Sequence, residues 1–262
     1  MAGFEPQIDG EEEEQRSPHG KRVYVYFTVL LLLVLTSFGM KSQWQRHVPV
    51  RQVAVDGIAI LSKEEIVRLM DLPPNVPMYD LDLTVLQRNI LKNSFVEKVV
   101  IQRDAPSQIR ITVTERKPAA MLLMSDLYYI ASDGTVLPYV PSTETYDIPI
   151  ISGADSTASP KIGQRLQSAD IQEALGVIAA SKAAGEEVFH TVSEVRLRKG
   201  HDIVLYSFET GIPIIFGRGD AAKKMVKFDA FWQKFLKNTD TKDIQYIDLR
   251  FDDQVVVSKK SS

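Results

Sequence analysis

At 262 residues the chain accommodates one large domain or two ordinary ones, and 44% hydrophobic with 25% charged residues excludes a wholly disordered protein. A formal net charge of −3 with no basic stripe argues against a dedicated nucleic-acid binder. Cysteine is absent, which excludes disulfides, thiolate metal sites and cysteine nucleophiles and leaves the compartment open.

Residues 1–22 are polar and acidic, with a glutamate run from Glu11 to Glu14, and read as a disordered tail. Val23 to Met40 carries no charged residue. As a helix it would rise roughly 27 Å, close to the hydrocarbon thickness of a bilayer, so it is read as a single transmembrane helix. A cleaved signal peptide competes with this reading, because Ser37 and Gly39 are small residues at a cleavage-like spacing, but the apolar run is long for such a segment. Charge does not orient it: Arg16, Lys21 and Arg22 precede the run, and Lys41, Arg46 and Arg51 follow it. Residues 41–47 form a linker in which Trp44 suits a membrane interface or a contact with the following domain.

Folded structure is expected from Val48. VRQVAVDG gives a short strand ending in the Asp56-Gly57 turn. In LSKEEIVRLM, Ser62 and Glu65 match a capping box ahead of a helix with Ile66, Leu69 and Met70 on one face, stopped by Pro73-Pro74. Asp82 opens a second helix with Leu83, Leu86 and Ile90 at helical spacing. FVEKVVIQRD is a strand, and after the turn at 104–107, Ile109, Ile111 and Val113 alternate with polar residues in another. Glu115 and Arg116 end that strand, and Pro118 lacks a ladder donor, so pairing stops or shifts there. This reads as a boundary between modules, since an acid/base pair would need a cleft, and adjacent strand residues point to opposite faces.

Beyond the boundary come AAMLLM, then a hairpin at Asp133-Gly134 joining Tyr128–Ala131 to Thr135–Val140, then the apolar run Ile148 to Gly153. Residues 154–167 read as a surface loop. A helix is expected over Ala169 to Ala183, with Ile171, Leu175 and Ile178 inward and Gly185 at its end. VSEVRLRKG, DIVLYSFETG and IPIIFGRG supply three strands. Asp220 is placed to cap a helix whose Met225, Phe228, Trp232 and Phe235 form a core stripe. The final segment alternates Ile247, Leu249 and Phe251 with charged residues, turns, and resumes at Val255 to Val257, giving a strand or hairpin.

These pieces, in this order, resemble the FtsQ/DivIB family of bacterial cell-division proteins. The resemblance rests on VRQVAVDG with LSKEEIVRLM, on FVEKVVIQRDAPSQIRITVTERKPAA, on Ser132 to Gly134 followed by Val136-Leu137, and on IPIISG and YIDLRFDD. It implies an α+β fold: a single N-terminal transmembrane helix (23–40), a β-α-α-β-β POTRA domain (48–117), then a mixed α/β domain dominated by an antiparallel sheet (118–258), with a tail at 259–262. It also implies a cytoplasmic N-terminus and extracytoplasmic domains, in the inner membrane at the division septum. Members are non-enzymatic divisome scaffolds without cofactors. Their POTRA module contributes to septal recruitment, and their β domain captures FtsB and FtsL, with the last strand accepting a segment of FtsB by strand addition.

By that resemblance the partner-binding residues are Tyr246, Asp248, Arg250, Phe251, Asp253, Val255 and Val257. Arg250 and Phe251 stand where the family has an arginine followed by an aromatic, usually tyrosine, so a hydroxyl is missing here. Asp253-Gln254 also departs from the small residues the family often has after this turn. Arg250 has an ordinary reading as a solvated strand residue, and Phe251 as a core residue in phase with Ile247 and Leu249. A rival is an anchored envelope enzyme acting on peptidoglycan, but His19, His47, His190 and His201 show no HExxH spacing, and SxxK and GxSxG are absent. A second rival, a transport-type POTRA protein, would need membrane-length strands.

Overall fold

The computed structural model describes residues 24–36, 48–140, 146–154, 159–198, 202–237 and 241–260. The tail 1–22, the linker 41–47 with Trp44, Val23 and residues 37–40 of the expected span, Ser37 and Gly39 among them, and His19, His47 and His201 lie outside these residues. Residues 24–36 form helix α1, whose side chains are exposed along its whole length. Its Thr28 and Thr36 hydroxyls donate to carbonyls of the preceding turn, Val25 O at 2.9 Å and Leu32 O at 2.9 Å. Among the described residues no helix is long and apolar enough to cross a membrane.

The expected strand–helix–helix–strand–strand order follows as β1 (Gln52–Asp56), α2 (Lys63–Met70), α3 (Leu83–Ile90), β2 (Val96–Asp104) and β3 (Gln108–Glu115). Strand β3 is central, with β1 parallel on one side and β2 antiparallel on the other. Its alternation is realised: Ile109, Ile111 and Val113 are buried against Ile66, Met70, Leu86 and Ile90 in one cluster. Each such side chain contributes about 1.5–3 kcal/mol of burial. Gly57 leaves β1 at φ 82°, and a Cβ there would lie 2.1 Å from Val113 O, so only glycine lets the chain pass β3 so closely.

The α2 cap is half of what the capping box predicts. Ser62 Oγ accepts from Glu65 N–H at 3.1 Å, but the Glu65 carboxylate accepts from Asn93 Nδ2 at 3.3 Å instead of reaching back to the cap. Helix α2 also ends before the prolines, at Asp71, which adopts a left-handed φ of 51°. Asp82 caps α3 as expected, accepting from Thr84 N–H at 2.8 Å.

The second unit is one nine-stranded mixed sheet. Its strands are β4 (Pro118–Leu123), β5 (Leu127–Ala131), β6 (Val136–Pro138), β7 (Ile150–Ser152), β8 (Val192–Leu197), β9 (Ile203–Ser207), β10 (Pro213–Gly217), β11 (Ile244–Asp248) and β12 (Val256–Lys259). In space they run β12-β11-β10-β9-β8-β7-β4-β5-β6, with β11–β10, β8–β7 and β7–β4 parallel and the other pairings antiparallel. Helices α4 (Ala169–Ala184) and α6 (Ala221–Phe231) pack on each other and share the sheet's apolar core, with Ile171, Leu175, Ile178, Met225, Phe228 and Trp232 buried.

Four sequence expectations change here. A six-residue helix, α5 (Glu186–Thr191), intervenes between α4 and β8. Asp220 sits at φ 50° with no side-chain cap bond. The neighbouring Gly219 N–H instead donates to Glu173 Oε1 at 2.7 Å. Phe235 leaves the core stripe and is 60% exposed, because Trp232–Leu236 forms a π turn closed by Lys237 N–H to Trp232 O. The extra residue in that turn rotates Leu236 into the core in its place. Phe251 is 46% exposed, since β11 ends at Asp248 and the alternation stops after Leu249.

Candidate functional site

Two places invite a functional reading: the Glu115-Arg116 junction and the β11–β12 end of the large sheet. At the junction, Glu115 Oε2 accepts from the N–H groups of Ala59 and Ile60 at 2.9 and 2.8 Å, and Oε1 from Leu61 N–H at 2.8 Å. The carboxylate thus closes the loop between β1 and α2. Arg116 turns the other way, donating to Ser94 O at 2.9 Å, Val96 O at 2.6 Å and Asp133 Oδ2 at 3.3 Å. Its guanidinium therefore ties the three-stranded unit to the β5–β6 hairpin. Burial of Asp133 alone would raise its pKa; hydrogen bonds from Thr135 and Arg116 more than reverse this, and it lies below the usual carboxylate value.

The two edges of the large sheet differ. At β6 the outer groups are bonded: Val136 N–H donates to Gln164 O at 2.9 Å, and its carbonyl accepts from Gly163 N–H at 2.8 Å. Pro138 has no N–H to offer. Among the described residues strand β12 is paired on one side only, with Tyr246 opposite Ser258, Ile247 opposite Val257 and Asp248 opposite Val256. Leu249 N–H donates to Ile215 O on β10 at 2.9 Å, so by alternation Tyr246 and Asp248 direct their backbone groups to β12. Ser258 and Val256 answer them. The N–H and C=O groups of Val257 and Lys259, and of Val255 just ahead, then face outward as an open ladder.

The residues expected to bind a partner are brought together at this end in unequal states. Val255 and Val257 are half-buried on the core, Tyr246 is half-buried, and Asp253 is exposed. Asp248 is buried and engaged: its Oδ1 accepts from Arg250 N–H and Nε, each at 3.0 Å, and its Oδ2 from Arg250 Nη2 at 2.7 Å. Burial pushes the Asp248 carboxyl up, but the Arg250 bonds and charge outweigh it, and the pKa is depressed overall. Arg250 Nη1 also reaches Asp202 Oδ2 at 3.2 Å. In this structure Arg250 thus already has carboxylate partners, and Phe251 alone presents a large apolar face.

Sequence reasoning misses the supports of this turn. Gly217, at φ 69°, lies under the Arg250 stem, and a Cβ there would fall 2.7 Å from Arg250 Cγ. The Lys227 ammonium donates to the carbonyls of Leu249, at 3.2 Å, and Phe251, fastening the loop after β11. Beneath it the buried Lys224 donates to Phe216 O and Arg218 O at 3.1 and 2.5 Å, and burial lowers its pKa. The Gly-Arg-Gly spacing around Arg218 hints at the tight backbone, but nothing local marks Lys227 or Asp202.

His190 pairs with Asp147 at 2.7 Å beside a cavity of about 660 Å³. Of the residues lining it, Thr191 and Ser193 direct their hydroxyls to Glu187 O and Tyr206 O, so neither is aligned with the imidazole as a nucleophile.

Comparison with known proteins agrees with this layout. Residues 48–116 match the family described as POTRA domain, FtsQ-type, and residues 117–258 match FtsQ/DivIB, C-terminal related. Among similar proteins, the cell division protein FtsQ of Geotalea daltonii is 27% identical over 79% of this chain and 74% of its own length. That of Salinibacter ruber is 26% identical over 87% and 89%, and that of Neisseria gonorrhoeae 23% over 89% of each.

Proposed function

The chain belongs to the FtsQ/DivIB family of cell division proteins, and from that premise we propose that it acts as a non-enzymatic divisome scaffold, capturing an FtsB segment, with FtsL, along β12. Its N-terminal residues are cytoplasmic, Val23 to Met40 is a single membrane span, and both folded units work outside the inner membrane at the septum. The apolar side chains of α1, exposed along their length, support the span, since they suit lipid and pack on no protein core. The observation that carries the binding reading is the unpaired outer edge of β12 beside exposed Phe251. An added strand gains main-chain hydrogen bonds there, and Phe251 with Tyr246, Val255 and Val257 selects its side chains. Asp248 and Arg250 act chiefly by fixing the turn. Asp253 meets the rim of the partner.

Substituting the outward N–H tests this directly. Val257→Pro removes a donor that β11 does not use, so the chain should stay folded while its affinity for an FtsB–FtsL pair falls at least about tenfold. Phe251→Lys should weaken binding in the same assay. Unchanged affinity in a folded Val257→Pro chain would move the site off β12. The three-stranded unit is assigned septal recruitment; if lesions there and in β12 caused the same localisation defect, that division of labour would be wrong.

A further inference from the structure

Strand β7 starts only at Ile150, opposite Glu194, and the Pro149 before it supplies no N–H, so the sheet opens beside Val192 and Ser193 at the start of β8. This opening is the cavity of about 660 Å³ next to His190, a volume usual for a site that takes a small ligand or a few side chains. Its lining carries the carboxylates of Asp147, Glu187 and Glu209 and, among the described residues, no lysine or arginine. Phe189, Phe208 and Trp232 give it aromatic walls. We infer that the cavity receives an arginine, flanked by apolar residues, from a peptide segment of a partner protein.

The three carboxylates are unequally engaged. Glu187 accepts from Lys237 Nζ at 2.6 Å and from Gln233 Nε2 at 2.9 Å. Asp147 pairs with His190, yet its side chain stays 82% exposed. Glu209 is exposed and has no partner among the described residues. An incoming cation therefore meets Glu209 first, with Asp147 beside the same opening. The aromatic wall favours the same charge: Lys182 Nζ already lies 5.8 Å from the Phe189 ring centroid. A guanidinium suits this pairing of groups, because it bonds a carboxylate with two parallel N–H groups and stacks flat on a ring.

Phe208 points to a peptide and not to a small cation. Its ring is 80% exposed although its backbone is fixed: its N–H donates to Thr191 O at 2.9 Å, and Gly211 N–H closes the β9–β10 hairpin onto Ser207 O at 3.0 Å. A ring held in water at the mouth of a cavity gains from being covered, and only an occupant with an apolar body covers it. The site is separate from β12. Asp202, which binds Arg250, precedes β9, and Phe208 follows it, so the two lie about 20 Å apart at opposite ends of one strand. The cavity can thus be filled while β12 holds its own partner, and this inference does not rest on the β12 reading.

Trp232 in the cavity wall makes occupancy visible, since Trp44 is the only other tryptophan. The full chain carrying Trp44→Phe, in phosphatidylcholine nanodiscs, is titrated with the peptide acetyl-Leu-Arg-Leu-Phe-amide while Trp232 emission is followed. The emission should shift and saturate below about 1 mM peptide. Adding Glu209→Lys should weaken binding at least about tenfold, and Phe208→Ser should weaken it too. Glu209 makes no bond that the fold needs, and an unchanged affinity of the Glu209→Lys chain for the FtsB–FtsL pair would exclude a folding defect. Asp252→Lys, at the far end of the sheet, should leave the titration as it was. The inference fails if no saturable shift occurs, if the peptide with glutamate in place of arginine binds equally, or if Asp252→Lys weakens binding as much as Glu209→Lys. It fails also if arginine amide alone binds as tightly as the peptide, which would make the occupant a small cation.

Discussion

Replacing Glu115 with alanine would leave the N–H groups of Ala59, Ile60 and Leu61 without their shared acceptor. The expected cost is about 2 kcal/mol, read from the urea midpoint; a loss under about 0.5 kcal/mol would mean that water replaces the carboxylate freely. Asp248 makes a prediction about pH. Its folded pKa lies below the unfolded value, so its stabilisation is complete above the unfolded carboxylate value near pH 4 and is lost as pH falls through the lower folded one. The stability gap between wild type and Asp248→Asn should therefore shrink between about pH 5 and pH 2 in urea titrations. A constant gap would assign the effect to packing. The Asp248–Arg250 pair is not legible in sequence: alternation carries the strand through Phe251, whereas β11 ends at Asp248 and the carboxylate accepts from the Arg250 N–H two residues on, as in a turn. Nor are Asp202 and Gly217, since only the folded sheet brings them to Arg250.

Among elements, the long periodic ones are readable, and the short or irregular ones are not. Strand β3 and helix α4 carry repeats that bury one face each, and both form where expected. Helix α5 spans six residues, too few for a helical period to emerge, and the π turn alters the period itself. Phe235 therefore falls outside any reading based on a regular helix. Ser62→Ala should cost about 1 kcal/mol through loss of the bond from Glu65 N–H, whereas Glu65→Ala should leave the cap intact, because that carboxylate serves Asn93. Equal losses for the two in thermal melts would restore the full capping box. The open edge is legible only in part: a terminal strand is visible in DLRFDDQVVV, but which side of it lacks a neighbour depends on the sheet order.

At the scale of the whole molecule, Arg116 joins the two folded units. The apolar cluster around β3 continues into Tyr129, Ala131 and Leu137 of the large sheet, and the Arg116 guanidinium spans the same junction. Arg116→Met should loosen that coupling and split one calorimetric unfolding transition into two; a single transition at a lower midpoint would show that apolar contact suffices. The strand order also sets a length. Nine strands at about 4.8 Å put β12 roughly 38 Å along the sheet from β6, next to which the three-stranded unit is fastened. The sheet is thus a ruler with a fixed zero. Whatever docks on its free end stands clear of anything gripping the other unit, so the two can be loaded together, and gain or loss of one strand would reset their separation by about 5 Å.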